Sequence, residues 1–155
     1  MECSDGSIYF NSRAYFNDQR RLIARSTDGG ESFCDLGRDM FLLEESQIGC
    51  SASLLRADAE DHPSFSRLPS NAQSVTLFGN PRAATRTNMT VCCSFDEGKT
   101  WSHTRQIWSG PSAYSSLTVS PVTGHFFLLY EKGYTQNPYE AGIAIAEFDL
   151  EWLLS

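Results

Sequence analysis

Several features that mark whole classes of protein are missing from this chain. No apolar run approaches the roughly 18–20 residues that a membrane-spanning helix needs. The start, Met1 to Gly6, has neither the basic nor the apolar region of a signal peptide. There is no basic tract, and 19 aspartates and glutamates outnumber 12 lysines and arginines, for a net charge of −7. We therefore expect no signal peptide, no transmembrane segment in this chain and no nucleic acid partner.

Cysteines are few, and their spacing is not that of metal ligands. The five are Cys3, Cys34, Cys50, Cys92 and Cys93, and none forms a C-x-x-C motif. We therefore predict no metal site and no cofactor. Cys92 and Cys93 are neighbours on a predicted strand, so they should point to opposite faces. Two alternatives remain: one or two disulfides in an oxidising compartment, or buried reduced thiols. The spacing of the cysteines does not assign disulfide pairs.

A long helical period is also missing, and short apolar or alternating runs take its place. Ile, Val, Leu, Tyr and Phe dominate these runs, as is typical of β-strands. The predicted strands are Ser7–Phe10, Arg21–Arg25, Ala52–Leu55, Ser74–Phe78, Asn88–Cys93, Ser115–Val119, His125–Tyr130 and Gly142–Phe148. A helix is predicted only for Leu150–Leu154, and Asp58–Asn71 is predicted to be a surface loop.

One turn motif occurs twice. Ser26 to Phe33 and Ser94 to Trp101 both read S-x-D-x-G-x-[S/T]-[aromatic]. In such a turn, Asp and Ser bind local backbone amides, Gly takes the left-handed conformation and the aromatic residue closes the base of the hairpin. The motif resembles the Asp box of sialidases and of other β-propellers, including sorting receptors that are not enzymes. It therefore predicts a repeat fold and leaves the function open.

These elements predict an all-β fold. About ten strands with two Asp-box hairpins indicate a partial six-bladed β-propeller of about two and a half to three four-stranded blades. We assign residues 1–155 to this one domain. Closed propellers usually have four to eight blades, so further N-terminal blades are expected, and an open arc would leave strand edges unpaired.

Three further segments carry a more specific resemblance. Asn80-Pro81 with Arg86, then Gly110 to Leu117 (GPSAYSSL), then Leu129 to Gly133 (LYEKG) follow one another along the chain. Together they resemble the C-terminal half of animal exo-α-sialidases, most of all the lysosomal type. The resemblance implies hydrolysis of terminal α-linked sialic acids by a retaining mechanism through a tyrosyl intermediate. It also implies sialylated glycans as partners and a lysosomal, secretory or membrane-associated location.

The same resemblance implies roles for four residues. Tyr114 matches the catalytic nucleophile, Arg86 and Arg13 match two of three arginines that bind the substrate carboxylate, and Glu131 matches the acid beside those arginines. Planar guanidinium groups bind a carboxylate bidentately, and a neutral phenol meets no charge repulsion from an anionic substrate. Each residue alone is more often an ordinary core or surface residue. Their joint occurrence in the family's order favours a sialidase.

The remaining parts of the family's site do not match residues of this chain. The first arginine, an acid/base aspartate and the glutamate that activates the tyrosine would lie upstream of the matched region, and Glu2 does not fit that glutamate's place. We therefore expect Met1 to be an internal or mispredicted start and the chain to be an incomplete, inactive fragment, since a phenol without a base is a poor nucleophile. The alternatives are a non-catalytic sialoglycan-binding or degenerate Asp-box propeller, and a receptor-type propeller without a sugar site.

A glycosylation sequon follows Arg86. Asn88-Met89-Thr90 has the N-x-T pattern, which is weak support for the secretory route because it is common by chance. Strand alternation would place Arg86, Asn88 and Thr90 on one face. Arg86 could then face a substrate while Asn88 reaches solvent.

Overall fold

Short antiparallel strands form most of the chain in the computed structural model, which describes residues 1–15, 19–44, 47, 49–62, 65, 68–135 and 142–155. The elements are β1 (Ile8–Ser12), β2 (Arg20–Ser26), β3 (Cys34–Leu43), β4 (Ser53–Asp58), β5 (Ser74–Pro81), β6 (Thr87–Ser94), β7 (His103–Val119), β8 (Phe126–Lys132), β9 (Ile143–Phe148) and α1 (Leu150–Leu154). One sheet contains β1 to β3 and another contains β4 to β9, each in chain order. The predicted all-β fold is confirmed.

The long strand β7 belongs to two blades. Its first part, up to Pro111, pairs with β6, and its second part, from Ser112, pairs with β8. Register irregularities in both pairings accompany the change of partner. We therefore call β1–β3 the first blade, β4–β6 with the first part of β7 the central blade, and the second part of β7 with β8 and β9 the third blade. This arrangement is the predicted partial propeller.

The central blade is buried on both faces. All eight residues of β5 are buried, because alternate side chains enter two different cores. Cys93 lies in the larger core with Phe126 of the third blade, and Cys92 lies in a smaller core with Leu42 of the first blade. The two cysteines point to opposite faces, as predicted. All five cysteines are free thiols.

The Asp boxes form the β2–β3 and β6–β7 turns, as predicted. In the second box, Ser94 Oγ accepts a hydrogen bond from Gly98 N at 2.9 Å. The Asp96 carboxylate accepts bonds from Thr100 N at 2.8 Å and Thr100 Oγ1 at 2.6 Å. The first box repeats these contacts at the equivalent positions. Each turn is therefore held by its own side chains.

The second box also connects two blades. Glu97 has a φ of 59°, at the position where the first box has Gly29. Its carboxylate accepts bonds from Ser4 N at 2.6 Å and from Arg56 Nε at 2.9 Å. Its carbonyl accepts a bond from Arg25 Nη2 at 3.0 Å. The left-handed conformation, unfavourable for most residues, is thus held by contacts to the first and central blades.

Some predicted elements need correction. Strand β3 was not predicted, because most of its residues are exposed and polar or charged residues interrupt its apolar ones. The first part of β7 was missed for a similar reason, since it has few buried positions. The predicted loop Asp58–Asn71, whose residues 63, 64, 66 and 67 lie outside the described residues, is not only a surface segment: Phe65 is buried and its ring stacks on Phe126 at 5.5 Å.

The predicted C-terminal helix is present as α1. Asp149 caps it by accepting a hydrogen bond from Trp152 N at 2.7 Å. Leu150 and Leu153 bury its apolar side against the larger core. No helix in the described part of the chain is long and apolar enough to cross a membrane.

Candidate functional site

The adjacent strands β7 and β8 position Tyr114 and Glu131. Tyr114 N donates a hydrogen bond to Glu131 Oε2 at 3.0 Å, next to the register irregularity between Ser112 and Ser115. The Tyr114 side chain is 42% exposed. The backbone of the tyrosine is therefore fixed while its phenol faces solvent.

Arg86 lies in the loop between β5 and β6, beside this tyrosine. Its guanidinium carbon is 5.3 Å from the centroid of the Tyr114 ring. Its Nη2 donates to Gly49 O at 3.1 Å, and its carbonyl accepts a bond from Ser112 N at 2.8 Å. The loop is thereby attached both to the segment before β4 and to the strand that carries the tyrosine.

Asn88 holds the Arg86 loop closed and does not extend into solvent as predicted. It is half-buried with a φ of 65°, and its Nδ2 donates to Arg82 O at 3.1 Å. Its Oδ1 accepts a bond from Gln106. Register shifts on both sides of Met89 interrupt the strand alternation from which the solvent-facing position was predicted. In the folded chain the amide nitrogen that glycosylation would modify is already hydrogen-bonded.

Arg13 follows β1 and reaches the same region from the first blade. It lines a depression of about 420 Å³ together with Tyr114. Its guanidinium carbon lies 4.9 Å from the centroid of the Tyr15 ring. The other lining residues are Asn11, Ser12, Arg21, Cys50, Ser51 and Ala52. Of the four predicted site residues, Arg13 and Tyr114 line this depression, while Arg86 lies beside the Tyr114 ring and Glu131 binds the Tyr114 backbone.

A larger groove, of about 580 Å³, lies elsewhere, between the first and central blades beside the second Asp box. Tyr9, Met40 and Trp101 are among its lining residues. None of the four predicted site residues lines it. We therefore place the candidate site in the smaller depression, where two arginines approach an exposed phenol.

An ion pair missed by the sequence analysis lies beneath the depression. Glu44 is fully buried and Arg21 is 4% exposed, with Arg21 Nη1 2.7 Å from Glu44 Oε2. Arg21 Nε also donates to Asn11 Oδ1 at 2.8 Å. One sequence signal was present: Arg21 directly precedes the apolar Leu22 in a predicted strand, and a charged residue buried in such a run needs a partner.

Burial and nearby charges shift the pKa values of ionisable groups in and around this pair. Burial lowers the pKa of Arg21, and the nearby Glu44 carboxylate opposes that shift. Burial raises the pKa of the Cys50 thiol to about 11, against the attraction of Arg86 and Arg21 for the thiolate. The thiol is therefore protonated and unreactive at neutral pH. Cys50 is also fully buried, whereas Tyr114 is exposed, so Tyr114 is the more accessible of the two side chains.

No group of three or more histidine, cysteine or acidic residues in the described ranges is arranged to hold a metal ion. The charged residues that line the depression are instead Arg13 and Arg21, and Arg86 and Glu131 contact Tyr114. Permanently charged guanidinium groups in a partly enclosed site bind carboxylates through paired N–H donors. This arrangement can bind an organic anion with a reacting carbon next to the phenol.

Comparison with known proteins gives one curated relative. A sialidase of Micromonospora viridifaciens is 34% identical over 154 residues, which is 99% of this chain and 21% of the relative. The chain thus spans about a fifth of the length of the curated relative it matches. No family model matches the chain.

Solved structures of sialidases and trans-sialidases resemble the fold. A leech intramolecular trans-sialidase complexed with 2,7-anhydro-Neu5Ac matches 98% of this chain and 23% of its own, with a TM-score of 0.76 and 21% identity. The Hadza microbial sialidase Hz136 matches 96% of this chain and 26% of its own, with a TM-score of 0.73 and 25% identity.

Together the comparisons establish two points. The chain is homologous to part of a bacterial sialidase. Its fold resembles part of a sialidase β-propeller domain. The predicted similarity to the animal lysosomal type stays a prediction, since the curated relative is bacterial.

Proposed function

We propose that this chain forms part of the sialic acid site of an exo-α-sialidase. The whole protein would release terminal α-linked sialic acids from glycoproteins, glycolipids and oligosaccharides. The observation that carries the proposal is the meeting of Arg13 and Arg86, from different blades, around the exposed phenol of Tyr114. Homology to a bacterial sialidase supports it independently. A lysosomal or secretory location is proposed only from the sequence resemblance, and fractionation of cells that produce the tagged protein would test it.

The substrate's chemistry matches these side chains. Sialic acid carries its carboxylate on the anomeric carbon, so the group that identifies the sugar is next to the bond that breaks. Guanidinium groups of Arg13 and Arg86 would hold the carboxylate, while Tyr114 would lie at the anomeric carbon. Glu131 would keep the tyrosine in place through the 3.0 Å bond from Tyr114 N.

The proposed reaction has two displacements at one carbon. Tyr114 Oη attacks the anomeric carbon as the bond from that carbon to the leaving oxygen breaks; a base takes the phenolic proton and an acid protonates the leaving oxygen. Water then attacks the same carbon, the bond to Tyr114 breaks and the phenol recovers its proton. Two inversions give net retention. The resemblance assigns the base to a glutamate and the acid to an aspartate upstream of the matched region.

Carboxylate recognition is the property to test first. We would measure binding of 2,3-unsaturated sialic acid and of its methyl ester to the full-length protein by isothermal titration. The acid should bind more tightly than the ester, because esterification removes the charge that the arginines bind. Equal binding, or none, would contradict the proposal and favour a propeller without a sugar site.

A second measurement separates an enzyme from a sialoglycan-binding protein. Both would prefer the acid to its ester, but only an enzyme that uses Tyr114 as nucleophile forms a covalent sialosyl adduct. A fluorinated sialosyl reagent added to the full-length protein should therefore leave a label on Tyr114. Tight binding without any label would favour the non-catalytic alternative.

A further inference from the structure

The buried pair of Arg21 and Glu44 touches the backbone on both sides of the depression. An ion pair this deeply buried adds little stability compared with a well-packed apolar pair. The other hydrogen bonds of the two side chains therefore indicate which parts of the site the pair holds in place. These bonds run in two directions, one toward Arg13 and one toward Arg86.

The first direction leads to Arg13. Glu44 Oε1 accepts a hydrogen bond from Ala14 N at 2.7 Å, and Ala14 directly follows Arg13. Arg21 Nε holds Asn11, near the end of β1, at 2.8 Å. The pair thus fixes the chain on both sides of Arg13.

The second direction leads to Arg86. Arg21 Nη1 donates to Cys50 O at 2.8 Å, and the carbonyl of the preceding residue, Gly49, accepts the bond from Arg86 Nη2 at 3.1 Å. Gly49 has a φ of +64°, and a Cβ there would lie 2.9 Å from Arg13 Cβ and 2.9 Å from Glu44 Oε2. The segment that holds Arg86 is therefore packed directly against the one that carries Arg13.

We infer that Arg21 and Glu44 are positioning residues that set the spacing between Arg13 of the first blade and Arg86 of the central blade, so that both guanidinium groups reach one carboxylate. The inference rests on the proposed function of the site. Bidentate recognition by two separate side chains requires placement to within about 0.5 Å. Losing the pair should therefore weaken the carboxylate interaction and leave the rest of the sugar's contacts in place.

The double variant Arg21→Met/Glu44→Gln tests this inference because it removes both charges together and leaves none buried alone. The readout is the ratio of the affinities of 2,3-unsaturated sialic acid and its methyl ester, measured on the full-length protein. We expect the ratio to fall by about tenfold or more, with the affinity for the ester nearly unchanged. A general loss of structure would lower both affinities together.

The chain offers a matched control in a second ion pair. Arg56 Nη2 lies 2.6 Å from Asp58 Oδ1, beside the second Asp box and outside the depression. Asp58→Asn breaks this pair while Arg56 keeps its bond to Glu97, and it should keep the wild-type ratio. Gly49→Ala, which places a methyl group between the two arginine-bearing segments, should lower the ratio as the Arg21/Glu44 variant does.

Each outcome decides between defined alternatives. If Arg21→Met/Glu44→Gln does not fold, Arg21→Lys replaces it, because lysine keeps a cation opposite Glu44 but lacks the separate Nε and Nη1 donors that bind Asn11 on one side and Glu44 and Cys50 on the other. A folded variant of either kind with the wild-type ratio overturns the inference and leaves the proposed function standing. A wild-type chain that binds acid and ester equally overturns the proposed function and this inference with it.

Discussion

At Tyr114 the ring and the hydroxyl group have separable roles. The ring lies beside the Arg86 guanidinium, and the backbone N–H binds Glu131; neither contact uses the hydroxyl. Tyr114→Phe should therefore fold normally and bind substrate almost as well as the wild type. In the full-length protein, kcat should fall by at least about 10²-fold, because the attacking oxygen is lost. Steady-state kinetics with a fluorogenic sialoside would measure this.

Tyr134→Phe is a matched control for that substitution. Tyr134 is 71% exposed, and it is not a lining residue of the depression. The Tyr134 variant should keep wild-type turnover and should still be labelled at Tyr114 by a fluorinated sialosyl reagent. Near-normal turnover in Tyr114→Phe, or a label on another residue, would refute the assignment of the nucleophile.

At Arg86 the shape of the side chain matters as well as its charge. Arg86→Lys keeps the positive charge but loses the planar pair of donors that could hold a carboxylate and Gly49 O together. Binding of 2,3-unsaturated sialic acid should weaken by about 1–3 kcal/mol. Arg82→Lys is the control, since Arg82 lies in the same loop but donates to Phe41 O. An unchanged affinity in Arg86→Lys would remove this arginine from the site.

Among the elements, the Asp-box turns are expected to respond to acid. Burial tends to raise the pKa of Asp96, but the hydrogen bonds from Thr100 and Ser94 outweigh it and lower the pKa below its ordinary value. A carboxylate with a lowered folded-state pKa stabilises the fold above about pH 4, and this contribution is lost as the pH falls through the folded-state pKa. Asp96→Asn should cost about 1–2 kcal/mol at pH 7 and should make stability fall less steeply below pH 4.

Urea unfolding from pH 7 to pH 2.5 would measure both effects. Asp28→Asn in the first box is the matched comparison, since Asp28 makes the equivalent bonds to Ser32. The hydrogen bonds from Ser32 and Ser26 lower the pKa of Asp28 well below its ordinary value, so Asp28→Asn should also make stability fall less steeply below pH 4. An Asp96→Asn curve parallel to that of the wild type would contradict the assigned role of the carboxylate.

At the scale of the whole molecule, the unpaired outer edge of β9 is the feature that most favours aggregation. In the described part of the chain β9 pairs only with β8, and Ile143 and Ile145 on one of its faces are 64% and 68% exposed. Unpaired strands with apolar side chains associate with one another. We expect the 155-residue chain, produced alone, to aggregate or to behave as an expanded monomer. A monodisperse, cooperatively melting monomer would contradict this.

Ile143→Lys/Ile145→Lys should reduce that association, because charges on an edge strand disfavour edge-to-edge pairing. Sedimentation velocity over a range of concentrations would measure the change. Val122→Lys is the control: Val122 is 91% exposed but lies in the turn between β7 and β8. If Val122→Lys reduces association equally well, the loss of any exposed apolar side chain, rather than of those on the edge strand, explains the change.

The parts of this protein that were predictable from sequence depend on short-range interactions or on contiguous segments. Each Asp box could be recognised because Ser94, Asp96 and Thr100 bind one another within a single turn. Most strands followed from apolar runs. Tyr114 and Glu131 could be proposed because each lies in a continuous segment that resembles one family. Strand β3 and the first part of β7 were missed, because their pairing partners and not their own side chains make them strands.

What the tertiary structure alone decided is how the separate segments meet. Regular strand alternation predicted that Asn88 faces solvent. Because the pairing of β6 and β7 is irregular, the Asn88 side chain instead donates a hydrogen bond to Arg82 O. No local pattern pairs Arg21 with Glu44, because the register of β2 and β3, which places Arg20 opposite Leu43, brings them together. The sequence determines the chemistry of each side chain. The distance between Arg13 and Arg86 is decided only by how the first and central blades pack.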